Sequence, residues 1–356
     1  MAKKIFITGG VGFIGVNAAD HFASRGWQVT VFDNFSRRGV DINASFLKEK
    51  WPDAVTIIRG DVCKDQKALE HGAATHDVIL HLAGQVAVTT SVKEPMMDCE
   101  QNLLGTLHVL EAARSVKNPP IVLFASTNKV YGGLESIPVR EEEKRYVFAD
   151  GRKGATEEEP LDFHSPYGCS KGAAEQYVRD YARIYGVPTV VFRQSCIYGP
   201  HQLGVEDQGW VAWFLIASML KKPLQIYGNG KQVRDMLYVE DLVDLYIRAV
   251  NGIEKSSGQI YNIGGGNHNS ISLLELLEHM EKKLGLPSSW TFAPVRPGDQ
   301  PIFISDNSKA KADLGWEPKM DLEHGLEELC GWLKNHIAMI AKMYGVQLQK
   351  PVATGQ

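Results

Sequence analysis

Apolar residues in the first half of the chain fall into two alternating patterns. Short runs that are hydrophobic almost throughout occupy residues 4–8, 27–33, 55–60, 78–82 and 121–126, with a sixth at 189–193. Between them, apolar positions recur at helical spacing, as at Leu103, Leu104, Leu107 and Leu110. Apolar runs without alternation predict strands covered on both faces, and strands alternating with helices predict βαβ units around a parallel sheet. The expected fold is α/β, with a doubly wound parallel sheet over residues 1–193. A smaller mixed α/β domain is expected over 194–346, with helices at 210–221 and 271–284 and some segments returning to the first domain. Residues 347–356 carry no periodic pattern and read as a tail.

Composition narrows the possible roles. The 356 residues are 44% hydrophobic, enough for a sizeable core, and the net charge of -4 advertises no nucleic-acid partner. Five cysteines are scattered with no CxxC pair, so neither a disulfide framework nor a metal site is expected. Gly9 and Gly10 interrupt the N-terminal apolar run too early for a signal peptide. The longest later apolar run, 211–220, is about half of a membrane span. A cytoplasmic protein without a membrane segment is the expectation. The segment 140–164 is rich in glutamate (141–143 and 157–159). It reads as a solvated surface insertion, with a lid beside the site as the alternative because it leads into Tyr167.

The first candidate chemistry follows the first strand. Gly10, Gly12 and Gly15 satisfy GxGxxG, and Gly9, Gly12 and Gly15 satisfy GxxGxxG, between a strand and a helical pattern at Val16, Ala19 and Phe22. Such glycines permit a tight turn and close approach of backbone to a pyrophosphate, which the helix N-terminus then attracts. This is the Rossmann-type dinucleotide arrangement. Asp33 ends the second strand, where a carboxylate accepts hydrogen bonds from the adenosine ribose and disfavours a 2′-phosphate. Arg37 and Arg38 lie just beyond and would suit NADP instead; the strand-end position of Asp33 favours NAD. Asp61 and Val62 follow the third strand, to hold the adenine edge, or Asp61 simply caps a helix.

The second candidate chemistry is Tyr167 and Lys171, four apart and so on one helical face. Tyrosine has an ordinary pKa of about 10, too high for a base at neutral pH, and a neighbouring ammonium would lower it. Two unremarkable surface residues would show the same spacing. Thr127 and Ser126 close the fifth strand at its C-terminal end, where open α/β sheets place their ligands. Either hydroxyl can hydrogen-bond a sugar hydroxyl and pass its proton to Tyr167; strand-end capping is the alternative.

The strings TGGVGFIG, ASTNKVYG, SPYGCSK, RQSCIYGP, GNGKQVRDMLYVEDL and YNIGGG together resemble the extended short-chain dehydrogenase/reductases that act on nucleotide-sugars, from Lys3 to about Pro318. The longer strings LAGQVAVTTS, STNKVYG, LDFHSPYGCSKGAAEQYVRDYARIYG, DQGWVAWF and NGKQVRD are similar to the CDP-hexose 2-epimerases within that family. The resemblance implies an isomerase that oxidises C2 to a transient 2-keto sugar and returns hydride to the opposite face, with NAD retained through turnover. It implies cofactor contacts at Gly9, Gly12, Phe13, Ile14, Gly15, Asp33, Asn34, Ser36, Arg37, Asp61, Val62, Leu82, Ala83, Gly84, Gln85, Asn102, Tyr167 and Lys171. For the nucleoside-diphosphate sugar it implies Gln85, Thr127, Ser195, Cys196, Gln208, Trp210, Arg234 as the pyrophosphate grip, and Arg296 with Asp299. A surface ion pair is the alternative for Arg296. Relatives often carry Asn where Cys196 stands, so a substrate hydrogen bond is lost here or rerouted through Ser195. Relatives also pair as dimers or tetramers through two helices, here with Leu103, Leu107, Leu110, Ala173, Tyr177 and Tyr181 as the expected seam.

Four rival readings remain. A 4,6-dehydratase typically has an acidic pair where Asn128 and Lys129 stand, so its proton donor is missing. A UDP-hexose 4-epimerase uses the same Tyr, Lys and hydroxyl, as would a 2-epimerase of CDP-glucose or a GDP-hexose. A non-catalytic NAD-binding regulator would not need Thr127, Tyr167 and Lys171 together.

Overall fold

A computed structural model describes residues 3–296 and 298–347; most of the expected tail lies outside the described residues. Seven parallel strands form the central sheet, in the order Gln259–Ile263, Thr189–Gln194, Ile121–Thr127, Val78–His81, Lys4–Thr8, Gln28–Asp33, Val55–Arg59. Six of the seven match the expected strands to within about a residue, the usual uncertainty of an element's end. The seventh, Gln259–Ile263, was not foreseen. It comes from beyond residue 193 and pairs Ile260 with Val191 and Ile263 with Gln194.

Alternate strand residues enter two cores. Ile5, Ile7, Val29, Val31, Leu80, Leu123, Val190 and Phe192 point to one side, under the helices Phe13–Ser24, Val40–Lys50 and Val239–Asn251. Phe6, Phe32, Ile79, Val122, Phe124 and Val191 point to the other, under Gln66–Thr75, Gly105–Arg114 and Ser165–Tyr185. Each large apolar side chain so buried contributes about 1.5–3 kcal/mol, which is why these runs are apolar on both faces. Leu110 and Tyr181, expected in a subunit seam, belong instead to this second core. Tyr177 and Ile184 on Ser165–Tyr185 are exposed, as are Met96 on Pro95–Cys99 and Leu104 on Glu100–Leu104.

The chain order reverses between Lys4–Thr8 and Val78–His81, from which strands run outward in both directions. That switch point opens a crevice at the C-terminal ends of the strands, the usual ligand position in such sheets. Thr8, Asp33, His81, Thr127 and Gln194 all end their strands on that edge.

The second half builds a smaller unit over this edge. Val233–Tyr238 pairs with Cys196–Tyr198, Ser270–Ser272 and Ile302–Phe303, and Leu224–Tyr227 pairs with Trp290–Ala293. The helix expected at 271–284 begins later, at Leu273, because Ser270–Ser272 joins that sheet. Ser272 and Glu275 then close a capping box, at 3.1 Å and 2.8 Å, a sequence signature for the true start.

The acidic segment is solvated at Glu141–Glu143, as expected, but it is anchored at other points and is not a lid. Val139–Glu141 and Tyr146–Phe148 form a hairpin, and Phe148 and Ala155 are buried with Val233 and Ile304. Lys144 pairs with Glu278 at 2.7 Å, Arg145 bonds Ser270 at 2.7 Å, and Glu157 accepts from the Asn262 amide at 2.7 Å. None of its residues lines the main cleft; it straps the two halves together. All five cysteines are free thiols, and no described helix is long and apolar enough to cross a membrane.

Candidate active site

Thr127 ends its strand and caps a one-turn 3₁₀ helix, Asn128–Tyr131, by accepting from the Lys129 amide at 3.2 Å. Against it lies Ser165–Tyr185, a helix of 21 residues that presents Tyr167, Lys171 and Glu175 to the interior, two turns in line. Burial pushes the Tyr167 phenol up to about 12; hydrogen bonding with Thr127 pulls it down, Asp98 raises it further, and Arg37 lowers it. Arg37 thus adds positive charge near this phenol beside the Lys171 that the sequence pointed to. Burial takes Lys171 down to about 7, against Glu175 and Asp98, with its ammonium 4.1 Å from the centre of the Phe124 ring.

Ser126 donates its hydroxyl hydrogen to Glu175 at 2.7 Å, so that proton is committed inward, away from Tyr167. Glu175 and Arg193 are almost wholly buried and paired at 2.5 Å. An uncompensated carboxylate there would be costly, and the pair fixes the helix that carries Tyr167.

The glycine loop fits a dinucleotide. The Phe13–Ser24 helix begins at Gly12 with no side-chain cap and no acidic residue in its first turn, leaving its amides and dipole for an anion. A Cβ on Gly15 would lie 2.4 Å from the Gly9 carbonyl, and one on Gly9 would lie 2.7 Å from the Ala83 amide. The Leu82–Gly84 loop thus closes directly on the glycine turn. Asp33 accepts from the amides of Phe35 at 2.8 Å and Val11 at 3.3 Å. Burial raises its carboxyl while those bonds lower it.

Around this frame the other expected cofactor residues are held by one another. Asp61 accepts from the Cys63 amide and from Asn34, while Asn34 accepts from the Ser36 amide. Asp61 caps no helix: Asp65 occupies the position before Gln66–Thr75. Val62 is buried. Gln85 and Asn102 both donate to buried Asp98, at 2.8 Å and 3.0 Å. Their amide hydrogens therefore serve an internal network.

The substrate side is a cleft of about 600 Å³. Phe13, Ile14, Ser126, Thr127 and Tyr167 line it from the first half, and Ser195, Cys196, Gln208, Trp210, Arg234, Arg296 and Asp299 from the second. Arg234 pairs with Asp299 at 2.7 Å. Arg296 pairs with Asp207 at 2.9 Å and lies 3.8 Å over the Tyr227 ring, so the ion pair and the cleft position coexist. Arg37 crosses to Gln208 at 2.9 Å and to the Gly84 carbonyl at 3.3 Å. Ser195 donates to the Asp235 carboxylate, and the Cys196 thiol accepts the Trp210 indole N–H at 3.4 Å. Neither stands in simply for an asparagine. Lys129, Tyr227, Glu206 and Gln225 also line the cleft and were not anticipated as contacts. Only Lys129 carried a sequence signal, two residues past Thr127.

The GDP-mannose 4,6-dehydratase family model matches residues 6–329. The chain is 44% identical over 336 residues to CDP-paratose 2-epimerase of Salmonella typhi, covering 92% of this chain and 98% of that one. In structure it is similar to the UDP-glucose 4-epimerase of Thermotoga maritima with UDP-glucose (TM-score 0.78, 30% identity, 94% and 99% covered). It is also similar to the UDP-glucuronic acid 4-epimerase of Bacillus cereus in complex with UDP-glucuronic acid and NAD (TM-score 0.79, 27% identity, 93% and 99% covered).

Proposed function

Because the chain belongs to the GDP-mannose 4,6-dehydratase family of extended short-chain dehydrogenase/reductases, we propose that it inverts C2 of a CDP-linked hexose, converting CDP-paratose to CDP-tyvelose. The broad class is NAD-dependent nucleotide-sugar epimerase or dehydratase. The narrower reading is carried by similarity to the Salmonella typhi CDP-paratose 2-epimerase along nearly its whole length. It is supported by Asn128 and Lys129 at the strand end, which leave no acidic pair for elimination.

Gly9, Gly12 and Gly15, with the free amides at the start of Phe13–Ser24, would hold the dinucleotide pyrophosphate, and Asp33 the adenosine ribose. Bound there, NAD supplies hydride acceptance and hydride return at one sugar carbon. Tyr167 takes the proton of the C2 hydroxyl and later gives it back, while Thr127 hydrogen-bonds the same oxygen. Arg234 grips the diphosphate as a planar fork suited to its oxygens. The 2-keto sugar must then present its other face while the nucleotide stays anchored.

Deuterium placement tests this reading. CDP-paratose deuterated at C2 should epimerise several-fold more slowly than the unlabelled sugar, retain label at C2 of the product, and lose little to water. A C4 label should leave the rate unchanged. Slowing by the C4 label alone would reassign the protein to 4-epimerisation or dehydration, and wash-out of the C2 label would point to proton abstraction from carbon.

A homodimer is also proposed, through the exposed apolar residues Met96, Leu104, Tyr177 and Ile184, since exposed apolar side chains that cluster mark interaction sites. Light scattering at micromolar concentration should report at least twice the 39.4 kDa chain mass. A monomer would reject it.

A further inference from the structure

We propose that Lys129 is a second cation on the substrate's diphosphate, and that Asp299 is a built-in anion holding Lys129 and Arg234 until that diphosphate displaces it. The inference rests on the nucleotide-sugar reading above, and it assigns a role to a residue that reading does not use.

The geometry starts at the strand end. Lys129 sits on the turn that Thr127 caps, so its position is tied to the hydroxyl that faces the sugar. Its ammonium donates to the Gly298 carbonyl at 3.2 Å. It lies 3.7 Å from the same Asp299 oxygen that receives Arg234 at 2.7 Å. A separation of 3.7 Å is within ion-pair range but too long for a hydrogen bond. An ammonium has three donors, and among the described residues only the one to Gly298 is well used.

Two cations thus share one carboxylate in a largely buried cleft. Burial alone would raise the Asp299 carboxyl, yet Arg234 and Lys129 together hold it below the usual range. Lys129 is in the opposite position: burial and the Arg234 charge bring it down to about 8, and Asp299 only partly restores it. The charge left over at this spot is positive, and it lies between Thr127 and the arginine read as the pyrophosphate grip. A diphosphate brings further negative charge and several acceptor oxygens, enough for both cations.

A pH signature follows, with its sign fixed. The groups facing Lys129 are Arg234 on Val233–Tyr238, Asp299 on the loop, and Cys196 on Cys196–Tyr198. Burial raises the Cys196 thiol, which disfavours its thiolate. An anion binds the protonated form of Lys129 better. Diphosphate affinity should therefore be full below about pH 8 and fall above it as the free protein loses that proton.

The test is calorimetric titration of the full-length protein with CDP and with CMP, between pH 7 and 9.5. Lys129→Met should weaken CDP by about tenfold, the size of one charge-assisted contact, and CMP by much less. Lys129→Arg should keep CDP affinity and abolish its fall above pH 8. Asp299→Asn should tighten CDP, because it removes the competing anion. The proposal is overturned if Lys129→Met weakens CDP and CMP equally or neither, if the pH dependence survives in Lys129→Arg, or if Asp299→Asn weakens CDP. Failure of the wild type to bind CDP, UDP or GDP at all would instead sink the nucleotide-sugar reading. Binding of UDP or GDP in place of CDP, with the same Lys129 dependence, would change the base and leave this inference standing.

Discussion

Replacing Tyr167 with phenylalanine lowers turnover by about 10²–10⁴-fold, the usual worth of a positioned acid–base group, and leaves the fold and nucleotide affinity nearly unchanged. The ring stays in place because its packing does not depend on the hydroxyl. What is lost is the phenol that lines the cleft beside Thr127. Burial sets that phenol at about 12 before any cofactor is bound, so added positive charge must bring it down for it to act near neutrality. Steady-state kinetics should show the loss in kcat with little change in KM. A variant that keeps turnover within tenfold of wild type would remove Tyr167 from the proton path and promote Thr127.

Gly15→Ala is expected to be as damaging by a different route. Its Cβ would stand 2.4 Å from the Gly9 carbonyl and 2.5 Å from the Gly10 Cα. Those are backbone atoms of the tight turn, with no flexible end to give way. The helix must move off the turn, at a cost of about 1–3 kcal/mol or somewhat more. That displacement also spoils the anion cradle. Melting should occur well below the wild type, and the purified variant should release no dinucleotide when denatured. A Gly15→Ala protein that melts with the wild type and carries NAD would show that this turn is looser than its contacts imply.

Much of this was legible because the two-core sheet imprints itself strongly on sequence. A strand such as Lys4–Thr8 sends Ile5 and Ile7 one way and Phe6 the other, so the run reads as apolar throughout. The glycine turn and the Tyr–Lys spacing are equally local. What was hidden depends on partners far along the chain. Arg37 looked like a cofactor residue, yet its Gln208 contact spans 171 positions. Lys129 looked like a missing acid until the 298–299 loop closed beside it. In the 140–164 segment the solvated glutamates were legible, while its anchoring was not. Phe148, Ala155 and the Glu157–Asn262 bond hold it down, and no composition argument reveals them. Ser272 and Glu275 were a missed local signal, since the capping spacing was visible and marked where the helix begins.

The late arrival of Gln259–Ile263 has a consequence for synthesis. A ribosome that has released only the first 194 residues has made six of the central sheet's seven strands, with Thr189–Gln194 as a bare outer edge. One sheet face still awaits Leu242, Tyr246 and Trp316 from the uncompleted part. An apolar strand with unpaired backbone groups is a template for sticking to its neighbours, and contacts this distant in sequence form slowly. The nascent chain therefore stays vulnerable until residues beyond 316 emerge. A half-length version of this protein is better pictured as an open seam than as a small enzyme.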